Sequence, residues 1–156
     1  MRPTGPELLA DLSERDARSI EALGVQQRLA SGEVLFDLGG AANSLYIVQH
    51  GRIALSLPMT VGGRTRDMLV EERGPGQTVG WSALIPPHRF TLHASASLDT
   101  GVLTLSRAAL EAHLEAHAAI GYRVARNVAA VVGQRLEVVQ AMWLREMQRR
   151  LAHALS

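Results

Sequence analysis

The sequence predicts an α+β fold: an antiparallel β body preceded by one short helix and followed by longer ones. Three observations carry that prediction. From Val25 to Leu105, short apolar runs are separated by turn residues at Gly32, Gly39-Gly40, Gly51, Gly62-Gly63, Gly74-Pro75-Gly76 and Gly101. Such spacing suits a barrel or sandwich and not alternating βαβ units. From Phe90 to Ser97, the apolar residues Phe90, Leu92, Ala94 and Ala96 alternate with Thr91, His93, Ser95 and Ser97, the period of a half-buried strand. From Ile120 to Leu151, apolar residues recur at steps of mainly three and four with arginines between them, the period of a helix.

The 156 residues suffice for one domain over 1–156. Residues 1–6 are expected to form a mobile tip. Residues 13–24 read as the N-terminal helix, with Ser13 as its cap, Asp16 as the acidic third position, Ile20 and Leu23 on its apolar face and Gly24 as its stop. Residues 25–105 form the β body. Within it, Ile53–Leu57 and Met68–Val70 are the arms of a hairpin whose tip, around Gly62-Gly63, is expected to be long and mobile. Residues 107–155 carry the C-terminal helices: Ser106 caps a short one over Ala109–His117, and a long one follows. The long helix is too apolar on one side to lie alone in water. Its first part, Ile120 to Val132, suits packing on the β body. The rest leaves Leu136, Val139, Trp143, Met147 and Leu151 as a stripe expected to form a homodimer interface. Gly121 and Gly133 mark a bend or a close backbone approach.

The stretch Gly74 to Ser97 carries the chemistry. Gly80 closes a strand, Trp81 to Ile85 make one helical turn, and Pro86-Pro87 stop it. A glycine followed by a one-turn helix exposes backbone N–H groups. With basic residues eight positions on, that construction can cradle a phosphate, so this is a candidate anion pocket.

The arrangement resembles the phosphate-binding cassette of cyclic-nucleotide-binding domains. Gly32-Glu33-Val34-Leu35-Phe36 with Gly39, Ala42, Leu45-Tyr46-Ile47-Val48 and Gly51 is similar to that family's opening strands, and Val102 to Arg107 to its closing strand; the likeness spans roughly Leu12 to Leu144. It implies an antiparallel β-roll of double-stranded β-helix or jelly-roll type, and a long C-terminal helix that pairs two subunits and docks the nucleotide base. The implied ligand-binding residues are Gly80, Trp81, Ser82, Ala83 and Leu84, then His88, Arg89 and Thr91, with Gln140 from the helix.

The sequence departs from the family pattern where contacts are made. Trp81 stands where the family has a glutamate for the ribose 2′-hydroxyl. Counting back from Ala94, His88 falls where the phosphate-neutralising arginine belongs, while a one-residue slip would give that place to Arg89. Aligning Arg135-Leu136 on the family's basic-Leu pair puts Val139 and Gln140 where hydroxyl residues touch the base, and only Gln140 can still hydrogen-bond a purine. Cyclic AMP, cyclic GMP or another anionic planar ligand are the candidate ligands, and no cofactor is established.

Other classes fit less well. The absence of cysteine excludes disulfides and thiolate metal sites. His113 and His117 lie four apart on a helix but lack the adjacent glutamate of a metalloprotease motif, His88 and His93 face opposite ways on a strand, and no metal site is expected. Ser82 is not in a nucleophile elbow, because Leu84 replaces the second glycine, and Glu71-Glu72 diverge on a strand, so no catalytic residue is assigned and an enzyme is not expected. A net charge of +1 and arginines spread among apolar positions argue against specific DNA binding by this chain alone. No apolar run reaches a membrane span and no signal-peptide core is present, so a cytoplasmic protein is expected. The function expected is a dimeric, ligand-sensing regulatory module of altered or weakened cyclic nucleotide specificity. Its alternatives are a non-binding scaffold for dimerisation and a protein partner, or the sensor half of a transcription regulator.

Overall fold

A computed structural model of the chain describes residues 5–156, so most of the expected mobile tip lies outside the described residues. A 3₁₀ turn, Glu7–Leu9, buries Leu8 and Leu9, and the Glu7 N–H donates to Gly76 O at 2.8 Å. Helix α1, Glu14–Glu21, is capped by Ser13, whose Oγ accepts from the Asp16 N–H at 3.1 Å. It ends three residues before Gly24, and a tighter turn closes it. Gly24 has a packing reason as well: a side chain there would run into Leu103 at 2.5 Å.

Eight strands follow: β1 Val25–Leu29, β2 Val34–Phe36, β3 Ser44–His50, β4 Ile53–Val61, β5 Arg64–Arg73, β6 Thr78–Val79, β7 His93–Ala96 and β8 Thr100–Ser106. They form two four-stranded antiparallel sheets, in the orders β1-β8-β3-β6 and β2-β7-β4-β5. The sheets face each other as a jelly-roll-type β-roll and do not close into a barrel. Leu45, Ile47, Val102 and Leu105 of the first sheet and Ile53, Leu55, Ala94 and Ala96 of the second belong to one buried core. Val102 and Leu105 lie on opposite faces of β8, so both faces of the first sheet are covered. Each such Leu or Ile contributes about 1.5–3 kcal/mol when withdrawn from water.

Two expectations need correction. The hairpin tip is not long: β4 and β5 run on to Val61 and Arg64, leaving a two-residue turn at Gly62-Gly63. Both glycines have positive φ, 60° and 78°, which the primed two-residue turn requires. The strand expected from Phe90 starts only at His93. Residues 88–90 instead pair with the loop before β3 through an Ala41–Arg89 bridge, and the chain bends at Thr91-Leu92. The alternation survives the break, since Phe90, Leu92, Ala94 and Ala96 are all buried.

Helix α2, Arg107–Ala116, starts at Ser106, whose Oγ accepts from the Ala109 N–H. Helix α3, Ala118–Leu155, has 38 residues. Ile120, Val124, Val128 and Val131 bury its first half against the roll, and Asn127 Nδ2 donates to Leu8 O and Ala10 O at 2.8 and 2.9 Å. Gly121 admits the α2 backbone, for a Cβ there would sit 2.9 Å from Leu114 O, whereas Gly133 meets nothing within 4 Å.

Candidate functional site

The site forms where β6 ends. Gly80 turns the chain with φ 79°, and a Cβ on it would lie 3.2 Å from the Phe90 ring and 3.3 Å from Tyr46, so both conformation and space demand glycine. The 3₁₀ turn Trp81–Leu84 follows. Ala83 N–H donates to Gly80 O and Ile85 N–H to Ser82 O, while the N–H groups of Trp81 and Ser82 meet no acceptor among the described residues. Burial raises the Tyr46 phenol above its ordinary value, partly offset by a hydrogen bond with Ser44, so the wall behind Gly80 stays neutral.

The structure brings Gly80, Trp81, Ser82 and Thr91 together around a cavity of about 10 Å³. Its other walls are Phe36, Leu55, Phe90, Leu92 and Arg135. Phe36 and Phe90 stack with ring centroids 3.7 Å apart, filling space between the sheets beside the turn. A cavity of that size holds about one water.

Neither basic residue assigned to the phosphate reaches the cavity. His88 Nδ1–H donates to Ser82 O at 3.2 Å. Arg89 is exposed and its Nη1 donates outward to Gly39 O at 3.0 Å. Ala83 is buried in the core, and Leu84 faces a separate groove of about 300 Å³ with Ile85, Leu114, Val124 and Val128. Gln140 is exposed on α3, away from the cavity walls. Of the expected interface residues, Leu136, Val139, Trp143 and Leu151 are 57%, 45%, 64% and 60% exposed, and Met147 is half-buried.

Sequence reasoning missed the charged side chain in the cavity wall. Arg135 continues the buried series Val124, Val128, Val131 one step of four further, a signal that the periodicity already contained. Its Nε donates to Glu71 Oε2 at 2.7 Å. Glu71 Oε1 in turn accepts from Arg73 Nη1 at 2.9 Å, and Arg73 Nη2 reaches Glu7. Arg73 is 2% exposed, and its Nε also donates to Thr78 O. The network ties the N-terminal turn, β5, β6 and α3 together with two positive and two negative charges, which is how a buried guanidinium becomes tolerable. Glu71 and Glu72 do diverge, since Glu72 pairs instead with Arg52.

The histidines make a different set of contacts. The His113 and His117 rings lie 4.5 Å apart, His113 Nε2 meets Ser19 Oγ at 3.0 Å, and His117 Nδ1–H donates to His113 O. Among the described residues no three His, Asp or Glu gather closely enough to hold a metal. Among them, too, no helix is long and apolar enough to cross a membrane.

The family profile described as the cyclic nucleotide-binding domain matches residues 26–117. The chain belongs to the cyclic nucleotide-binding domain family. That span holds both sheets and the cassette. Solved structures agree. A candidate cyclic nucleotide-binding protein from Geobacter metallireducens is 26% identical with a TM-score of 0.68, over 83% of this chain and 91% of that one. The N-terminal domain of a transcriptional regulator from Streptomyces coelicolor is 24% identical with a TM-score of 0.69, over 82% of this chain and 89% of that one. The Thermus thermophilus catabolite activator protein is 24% identical with a TM-score of 0.72, and the match covers 91% of this chain but 63% of that protein. Among curated proteins none matches this sequence. The matched span includes Gly80 and its 3₁₀ turn.

Proposed function

We propose that the chain is a non-enzymatic, ligand-sensing regulatory module that dimerises through α3 and recognises cyclic nucleotides weakly or with altered specificity. The single observation that supports this most is the contrast inside the cassette: the family's turn is intact at Gly80, while Trp81 follows it and both His88 and Arg89 are engaged elsewhere. A carboxylate accepting from a ribose hydroxyl is worth about 1.5–3 kcal/mol. Its loss alone should weaken a cyclic nucleotide by roughly 10- to 150-fold. Trp81 offers a flat apolar surface in exchange, worth about 1 kcal/mol or more if it stacks on a planar ligand. The ligand this favours is an anion with a flat apolar body. Specific DNA binding is not expected of these residues by themselves.

One observation favours a second reading. A cavity of about 10 Å³ leaves a nucleotide no room unless Trp81 or α3 moves, which suits a domain kept as a dimerisation and protein-interaction scaffold. Calorimetric titration of cyclic AMP and cyclic GMP into wild type, Trp81→Glu and Arg89→Ala separates the two. Weak binding by wild type, strengthened by Trp81→Glu, supports the sensor. Low-micromolar binding that Trp81→Glu fails to improve would show that Trp81 is not at the ribose position, and no binding by any variant would favour the scaffold.

A further inference from the structure

We infer that Arg135, on α3 and not on the cassette strand, is the residue that takes the anionic group of whatever ligand enters the cassette cavity. The inference rests on reading that cavity as the ligand site. Arg135 is the one charged residue among the cavity walls, which are otherwise apolar or carry hydroxyls and the Trp81 indole. Its side chain is 11% exposed, so the charge lies where water competes poorly for it. A guanidinium has five N–H donors in a planar fork. Only Nε is committed, to Glu71 Oε2 at 2.7 Å. Its two Nη groups hydrogen-bond no other protein group among the described residues, and they are the end of the fork that suits a phosphate or carboxylate.

Glu71 keeps the fork in place without using it up. Its second oxygen is held by the buried Arg73, so the carboxylate cannot swing away to follow another cation. An anion at the mouth of the cavity, or inside it once Trp81 or α3 moves, therefore meets a tethered positive charge beside the Gly80–Ser82 turn. Because Arg135 belongs to α3, occupancy bears directly on the helix that carries the proposed dimer seam.

The test uses inorganic phosphate as the probe and Trp81 fluorescence as the reading. Trp143→Phe removes the other of the two tryptophans, so the emission then reports the cavity alone. Phosphate should shift that emission in the Trp143→Phe protein, and adding Arg135→Gln should weaken the response roughly ten-fold or more. Arg135→Lys, which keeps the charge and loses the fork, should fall between, while Arg89→Gln should respond like the parent. Thermal melts of each variant check folding, and Arg135→Lys keeps the question answerable if Arg135→Gln unfolds. An unchanged response in both Arg135 variants, an equal loss in Arg89→Gln, or no response to phosphate at all would overturn the inference. Failure of cyclic AMP and cyclic GMP to bind while phosphate still reports through Arg135 would instead remove only the nucleotide from the proposed function.

Discussion

The two halves of α3 share one periodicity and meet opposite surroundings. In the first, Ile120, Val124, Val128 and Val131 are buried on the roll, and Asn127 fastens the N-terminal turn. In the second, Leu136, Val139, Trp143, Leu144 and Leu151 are all exposed. Arg135 and its bond to Glu71 stand at the boundary, the last place where the helix touches β5 through a charged side chain. A helix pattern thus reports that an apolar face exists, and says nothing about whether the same chain or another one covers it. A contiguous exposed stripe of this kind supports the proposed subunit seam.

The comparison breaks most sharply if one charge is placed in each half. Val124→Asp puts a carboxylate at a fully buried position with no cation facing it, and should cost about 3–5 kcal/mol, enough to unfold much of the protein at room temperature. Val139→Asp sits at a position 45% exposed and should leave the stability of the isolated chain within about 0.5 kcal/mol. Its effect should fall on association: light scattering at tens of micromolar should read a dimer for wild type and a monomer for Val139→Asp. A wild-type monomer would remove the proposed seam, and equal melting losses in both variants would erase the distinction between the halves.

How much of this could be read from the sequence follows the same division. Backbone devices were legible, because they depend on few residues: Gly80 with its turn, the Ser13 and Ser106 caps, and the alternation from Phe90 to Ala96. The strand start at His93 was not, since alternation of burial does not require ladder hydrogen bonds, and residues 88–90 pair with the Gly39–Ala42 loop instead. With the strand broken and His88 at φ 58°, a one-residue slip along a strand does not decide between His88 and Arg89, and neither lines the cavity. The charge network was invisible for another reason. Glu7, Glu71, Arg73 and Arg135 are ordinary surface residue types scattered along the chain, and only the fold brings them together.

A smaller effect sharpens the first half. Asn127→Ala removes two hydrogen bonds to the carbonyls of Leu8 and Ala10 and leaves those acceptors behind a packed helix. At about 0.5–1.5 kcal/mol each, the loss should total roughly 1–3 kcal/mol. It should appear in hydrogen exchange as faster labelling of residues 7–12, with the sheets unaffected. Slow exchange there in Asn127→Ala would mean that burial of Leu8 and Leu9 alone holds the N-terminal turn.

The smallest effect belongs to the second half. Glu146 faces Arg149 at 3.6 Å and Arg150 at 3.5 Å, with the arginine side chains 77% and 74% exposed. Such pairs gain little in water, because two long side chains must be ordered for an attraction that salt screens. Glu146→Gln should therefore change the melting free energy of the monomer by no more than about 0.5 kcal/mol. The outcome becomes informative in the assembled protein. If two α3 helices pair along Val139, Trp143 and Leu151, residue 146 lies beside the seam, and the lost anion leaves Arg150, on that same side of the helix, uncompensated in both copies. Dissociation should then grow easier as salt is lowered, by a few-fold between high and low ionic strength, because unscreened like charges repel over about a Debye length. If Glu146→Gln dissociates no more readily than wild type at low salt, the arginines point away from any partner, and the seam must be rotated toward Leu136 and Leu144.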